Sequence, residues 1–380
     1  MDLNFGDEAE AFRQEVRQFL ADHKADFPTE SYDRAAGFEQ HRRWDRILFD
    51  AGLSVITWPQ RYGGRDATLL QWVVYEEEYF RAGAPGRASA NGTSMLAPTL
   101  FAHGTEEQLD RVLPKMASGE EIWAQAWSEP ESGSDLASLR STATRTDGGW
   151  KLNGQKIWNS RAPFGDRAFG LFRSDPQAQR HRGLTYFMFD LKAPGITVRP
   201  IAQLGGDTGF GEIFLDDVFV PDEDVIGAPN EGWKAAMSTS SNERGMSLRS
   251  PARFLAPAER LVGLWKENPD PAFADRVADA WIKAQAYRLH TFGTVTRVAG
   301  GGELGAESSV TKVFWSDLDV DIHQTALDLR GADGELADSW TEGYLFALGG
   351  PIYAGTNEIQ RNIIAERLLG LPRESQGQAK

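Results

Sequence analysis

At 380 residues, 41% of them apolar and including 12 Trp and 21 Phe, the chain can bury a large core and reads as globular rather than disordered. A net charge of −15 argues against a nucleic-acid binder, and the absence of Cys excludes disulfides, thiolate metal sites, Fe–S clusters and a Cys nucleophile. The six His show no metal-ligand spacing, no apolar run reaches membrane-spanning length, and the first residues lack a secretory pattern, so no metal and a cytoplasmic location are expected.

Residues 1 to about 120 read as helices. Phe12, Val16, Phe19 and Leu20 share one face, as do Trp44, Ile47 and Leu48, with Gly52 as a stop. Asp66 is expected to cap a third helix carrying Leu69, Trp72, Val73 and Tyr79, whose Glu76-Glu77-Glu78 run reads as a solvated face. Further helical patterns cover Met95 to His103 and Thr105 to Met116.

From Glu121 to about Gly232 the period switches to two. Candidate strands are Ile122–Trp127, Ser138–Arg145, Trp150–Trp158, Ala168–Arg173, Leu184–Asp190, Ile196–Ile201 and Glu212–Val220. Asp147-Gly148-Gly149 and Asn153-Gly154 are hairpin signals, because these residues adopt positive φ at little cost. Helical patterning returns over 233–265, 272–299 and 306–348, and a last helix runs from Asn357 to Leu369. The expected organisation is α+β: an N-terminal helical domain (1–120), a middle antiparallel β-sandwich or barrel (121–232) and a C-terminal helical bundle (233–380).

The strand ends Trp127-Ser128 and Trp158-Asn159-Ser160 each set a large aromatic beside a small hydroxyl. Such a pair can hold a flat ring with polar edges, or it can be an ordinary sandwich strand with packed Trp. Gly300 to Gly305 fits GxGxxG but follows a helix pattern instead of a strand, so it reads as an interhelical loop.

Three segments in order carry more weight: WSEPESGSDLASL with NGQKIWNS, then LDDVFVPDEDVIGAPNEGW, then AGTNEIQRNIIAERLLGLPRE. With the α–β–α order they resemble the acyl-CoA dehydrogenase family across essentially the whole chain. The resemblance implies FAD held between the β domain and the C-terminal helices, and removal of hydrogens from Cα and Cβ of an acyl-CoA. It places Gln125, Trp127 and Ser128 at the flavin's pyrimidine edge, Trp158 against the isoalloxazine and Ser160 near N5. Ser134 falls where flavin and the CoA arm approach each other, and Thr356 and Glu358 near the cofactor.

The resemblance also implies a glutamate base at one of two places. The first is Ala354 here, whose methyl cannot accept a proton; the second matches Glu243, in Ser241-Asn242-Glu243-Arg244, as in isovaleryl- and long-chain-type members. Glu243 is therefore the expected catalytic base, and Arg244 either approaches the CoA arm or pairs with an acid. Asn91 to Met95 are expected at the acyl pocket, where Gly92, Thr93 and Ser94 would leave room for a bulky or branched group. Arg180-His181-Arg182 is either a site for CoA phosphates or a solvated hairpin tip.

The sequence departs from the family pattern at Glu267-Asn268-Pro269-Asp270-Pro271, where members carry an Arg-x-x-Phe-Gly segment that grips a neighbouring subunit's FAD. Arg330-Gly331-Ala332-Asp333-Gly334 is altered as well. The partners expected are therefore an acyl-CoA, electron-transfer flavoprotein, and either a homo-oligomer or a heteromer with a second acyl-CoA dehydrogenase-like subunit. The alternatives are an acyl-CoA oxidase or a non-catalytic partner subunit, and Glu243 argues against the latter.

Overall fold

The computed structural model describes residues 5–244, 250–302 and 305–373, the side chains of 241–244 excepted. It divides into two compact units, Asp7–Glu243 and Met1–Gly6 with Arg244–Lys380. The first unit holds helices α1 (Gly6–Asp22, but for its first residue), α2 (Ala35–Asp50), α3 (Leu69–Arg81), α4 (Ala97–His103) and α5 (Glu106–Ala117). There follow strands β1 (Trp123–Ala126), β2 (Thr142–Thr146), β3 (Gly149–Ser160), β4 (Arg167–Arg173), β5 (Leu184–Asp190), β6 (Ile196–Ile201), β7 (Phe210–Pro221) and β8 (Val225–Ile226), then helix α6 (Gly232–Arg244). The strands form one sheet in the order β6-β7-β3-β2-β4-β5-β8, with β1 on β4.

Most pairs in this sheet are antiparallel, as the alternating pattern predicts, but β1 runs parallel to β4 and β2 touches β4 in parallel. Strands β4 and β5 are nearly continuous apolar runs because both their faces are covered. Their Phe172, Phe187 and Phe189 form the sheet's core with Trp150, Leu152, Ile213 and Val218.

Among the helices of this unit, two expectations give way. Thr68, not Asp66, caps α3: its side chain accepts from the Gln71 N–H while the Gln71 side chain returns to the Thr68 N–H. Asp66 instead takes a left-handed φ of 53°. The Glu76-Glu77-Glu78 run is buried, not solvated. Arg13 reaches Glu77 at 3.2 Å and Glu78 at 2.8 Å, Arg17 and Arg81 each reach Glu78 at 2.9 Å, and Arg87 pairs with Glu76. Carboxylates can leave water when arginines supply their hydrogen bonds.

Asn153-Gly154 is likewise not a turn. Strand β3 runs straight through it and pairs with β7 on both sides, with the register slipping between Leu152 and Gly154. The bulge is pinned by Asn153, whose Nδ2 donates to Asp217 Oδ1 at 2.9 Å and whose Oδ1 accepts from the Asp217 N–H. Gly154 is required there, since its φ is 143° and a Cβ would lie 2.2 Å from Ser141 Oγ.

The second unit contains α7 (Ala252–Glu267), α8 (Ala274–Ala299), α9 (Ser308–Arg330), α10 (Ser339–Ala347) and α11 (Asn357–Ile363). The continuous helix expected over 233–265 is two helices, one ending at Arg244 and the next starting after Pro251, which cannot donate a helical hydrogen bond. Phe254, Tyr287, Trp315 and Ile322 form the core between α7, α8 and α9. Gly300–Gly302 lie in the turn after α8, as an interhelical loop. No helix of the described residues is long and apolar enough to cross a membrane.

Candidate active site

Strand β1 ends at Ala126, and the chain continues through Trp127 and Ser128 beside β3. The Ile157 N–H donates to the Ser128 carbonyl at 2.8 Å, so residues thirty positions apart meet: Ser128 on one strand end, Trp158 and Ser160 on the other. Ser128 and Ser160 are half-buried. Trp158 is 58% exposed, with Phe210 edge-on at 6.2 Å.

Trp158 is also strained. Its φ is 60°, a region that a bulky L-residue seldom occupies. The strain arises from a second bulge, where the β3–β7 register slips between Lys156 and Asn159. Buried Asn159 closes the bulge by donating to the Gly211 carbonyl at 2.8 Å, and its Oδ1 finds no donor among the described residues. An exposed aromatic in a costly conformation beside an orphan acceptor contributes little to folding and fits a ring-binding surface.

Gln125 lies within β1, half-buried, and Ser134 is exposed on the turn that follows Glu129. That turn is fixed from below by Arg173, which donates to the carbonyls of Ala137, Leu139, Ala178, Arg180 and Arg182. The Arg180-His181-Arg182 loop is thereby held beside the Ser134 turn, with Arg180 paired to Asp135 at 2.8 Å. Both outer residues of that triplet are exposed.

The residues from Gly92 to Leu96 form a π-helical turn leading into α4. Asn91 Nδ2 donates to the Ser160 carbonyl at 3.2 Å, which brings the expected acyl-pocket segment next to the Trp158 strand end. Gly92 does not leave the room expected of it: a Cβ there would meet Met116 at 2.9 Å and Trp123 at 3.2 Å. Its smallness serves helix-to-strand packing. Glu243 and Arg244 belong to the last turn of α6, but their side chains lie outside the described residues.

In the second unit Ala354 and Gly355 both take positive φ, 56° and 82°, and turn the chain into α11. Thr356 caps that helix, accepting from the Ile359 N–H at 3.3 Å. Glu358 is exposed on its first turn, and hydrogen bonds from its own N–H and from Thr356 hold its carboxyl below the usual range. Sequence reasoning missed the residue between them. Asn357 is buried, accepts from Lys312 Nζ at 2.7 Å and Ser316 Oγ at 3.1 Å, and donates to Asp317 at 3.0 Å. No signal in the sequence marks it, because the buried face of α9 carries Ser309, Ser316 and Asp319 as well as Lys312.

A cleft of about 850 Å3 opens at the opposite end of β3 from Trp158, lined by Thr105, Gln108, Arg111, Arg145, Trp150 and Asp222. Its arginines are already paired, Arg111 with Asp224 and Arg145 with Asp222, so neither is a free cation.

Comparison with known proteins decides the family. Residues 6–120, 124–218 and 230–369 match the acyl-CoA dehydrogenase N-terminal, middle and C-terminal domains respectively. The chain belongs to the acyl-CoA dehydrogenase family. It is 39% identical to the acyl-CoA dehydrogenase IpdE1 of Mycobacterium tuberculosis (strain ATCC 25618 / H37Rv), over 97% of this chain and 100% of that protein. It is 31% identical to an acyl-CoA dehydrogenase of Bacillus subtilis (strain 168), over 84% and 87% of the two chains. Among solved structures it resembles the Tcur3481-Tcur3483 steroid ACAD, at 28% identity and a TM-score of 0.88 over 98% of this chain and 100% of that one. The ChsE4-ChsE5 complex from Mycobacterium tuberculosis is similar at 26% identity and a TM-score of 0.84, over 98% and 100%. As a member of this family the protein is an oxidoreductase, and the α+β organisation is that of its relatives.

Proposed function

We propose that the protein is an FAD-dependent acyl-CoA dehydrogenase acting on a bulky, steroid-type acyl-CoA. FAD, when bound, supplies the acceptor for the hydride that leaves Cβ. Glu243 takes the proton from Cα; Ala354, at the family's other base position, has a methyl that cannot accept one.

The observation that carries this reading is the junction of Ser128 with the strained, exposed Trp158. Trp158 offers a face on which a tricyclic ring stacks. Ser128 and the main chain from Gln125 to Ser128 offer donors along one edge, where they stabilise negative charge as it develops. Ser160 stands at the other edge beside Asn91, and Ser134 beside the Arg180 loop is suited to the CoA arm. Thr356 and Glu358, in the second unit, are cofactor-binding candidates on the family resemblance alone.

Two observations support a bulky substrate and a second subunit. Of the solved relatives named above, one is a steroid ACAD and both carry paired chain names, Tcur3481-Tcur3483 and ChsE4-ChsE5. The connector after α7 carries no cation: Asp270 caps the turn at Pro271–Phe273 while Trp265 Nε1 donates to the Asp270 carbonyl at 2.9 Å. This chain supplies the base, a second acyl-CoA dehydrogenase-like chain supplies the missing grip on the cofactor, and electron-transfer flavoprotein reoxidises the site.

The test is a Glu243→Gln variant, purified with and without a co-expressed second subunit and mixed with steroid side-chain CoA esters. It should retain its flavin and lose bleaching by substrate at least a thousandfold. Bleaching at the wild-type rate overturns the reading, and peroxide release during turnover reassigns it to an oxidase.

A further inference from the structure

Two positions before Trp158, Lys156 has no exposed surface. Its Nζ donates to Glu129 Oε1 at 2.8 Å, to the Leu171 carbonyl at 2.8 Å and to the Trp127 carbonyl at 3.4 Å. An ammonium has three donors, and each meets an acceptor on a different segment: the turn after β1, strand β4 and the β1 strand end. Phe172 covers the group at 4.7 Å. Glu129, itself 8% exposed, also accepts from the Arg140 N–H at 2.6 Å and the Ser141 N–H at 2.9 Å.

The structure assigns Lys156 and Glu129 a positioning role: they form a buried clamp that locks the Trp127-Ser128 strand end against the Trp158 bulge. The assignment rests on the flavin reading given above, because it makes the clamp responsible for the fixed relation between edge donors and stacking face. Three observations converge on it. Lys156 is the last residue in register with β7 before the bulge, paired with Ile213, and Asn159 is the first after it, paired with Gly211. The Ile157–Ser128 hydrogen bond lies directly beside the clamp. A left-handed Trp persists only where its surroundings hold it, and the two buried anchors do so.

Stability alone does not call for this arrangement. A buried ion pair can usually be replaced by neutral groups of similar volume without loss, whereas removal of one partner strands the other. Burial pulls the Lys156 ammonium down to about 8 although Glu129 opposes the shift. For Glu129 burial pushes the other way, yet Lys156 and the two amides hold it below the usual carboxylate range.

The experiment is the double variant Lys156→Met/Glu129→Gln in the full chain, together with the second subunit if that is needed for flavin uptake. It should remain folded, with the Ile157 amide exchanging at least tenfold faster. FAD should bind at least tenfold more weakly, and at saturating FAD the bound flavin's emission should rise several-fold as its ring leaves the Trp158 face. Should the double variant not fold, the wild-type protein is read instead: the Ile157 amide should exchange only through global unfolding, and exchange through a local opening overturns the clamp. Unchanged exchange together with unchanged flavin emission overturns the clamp. Wild-type protein that takes up no flavin in either form instead overturns the reading on which it rests.

Discussion

Thr99 and Thr239 share a hydroxyl–hydroxyl hydrogen bond of 2.6 Å, with no exposed surface on either residue. The bond is the middle of a chain. Trp127 Nε1 donates to the Tyr186 hydroxyl at 3.0 Å, Tyr186 lies 3.3 Å from Thr239, and Thr99 donates to the Met95 carbonyl at 2.9 Å. The Thr239 hydroxyl, with one proton, has two acceptors in reach, the Thr99 hydroxyl and the Ala235 carbonyl at 3.2 Å. Glu243 follows Thr239 by four residues in the same helix, so the chain fixes the axial position of the helix that bears it.

Thr239→Val preserves shape and removes this link. The expected cost is about 1–3 kcal/mol, read as a fall in melting temperature, because buried hydroxyls lose a partner. Flavin content should be unchanged while kcat falls severalfold, and Thr239→Ser should recover most of both losses.

Trp158 invites the opposite kind of change. Its left-handed conformation costs on the order of 1–2 kcal/mol for an L-residue, and Gly pays nothing for it. Because the ring is largely exposed, Trp158→Gly forfeits little burial. The variant should melt no lower than the wild type while losing most of its flavin affinity, as measured by calorimetry and by flavin retention on dialysis.

Asp45 is buried in the first unit. One carboxylate oxygen accepts from the Ser89 N–H at 2.8 Å, and the other finds no donor among the described residues. Burial raises it to about 6 against the pull of that hydrogen bond. A folded pKa above the unfolded value of about 3.9 means that its favourable contribution is complete below pH 4 and is lost as pH rises through 6. Asp45→Asn should therefore stabilise the protein by about 1–3 kcal/mol at pH 8, with the difference vanishing below pH 4. Melting temperatures of both proteins across pH 4–8 check the sign.

In the second unit, Asn357→Ala takes an acceptor from the fully buried Lys312 and from Ser316. Loss of a hydrogen bond to a buried charge costs about 1.5–3 kcal/mol. The Ala354–Thr356 turn should loosen with it, visible as faster amide exchange over 354–360. Asn357→Asp keeps an acceptor for Lys312 but sets a second carboxylate against Asp317, so it should recover only part of the loss.

How much of this was legible beforehand depends on what each residue's neighbours do. Strands β5 and β6 occur at the bounds read from the sequence, because Gly183 and the Pro194-Gly195 turn punctuate them, although only β6 alternates. Asn153-Gly154 misleads because the same dipeptide serves a turn or a bulge, and only pairing with Asp217 on β7 decides which. The strand ends at Trp127-Ser128 and Trp158-Ser160 stand out in the sequence as aromatic–hydroxyl pairs. Lys156, Asn357 and Lys312 do not, because a charged or amide side chain read alone belongs to solvent; their partners lie 27 to 45 positions away. Charge burial is a property of pairs, and pairing is tertiary.

The buried carboxylates Glu76, Glu77 and Glu78, with the arginines from three segments that close over them, carry an evolutionary implication. Loss of Arg87 strands the buried Glu76, and loss of Arg13 takes a partner from both Glu77 and Glu78, so isolated substitutions there meet a steep barrier. The half-exposed Arg17 and Arg81 share Glu78 and are more replaceable. Lineages descending from this chain should keep the cluster intact or exchange its acids and arginines together, as a linked set inherited in blocks.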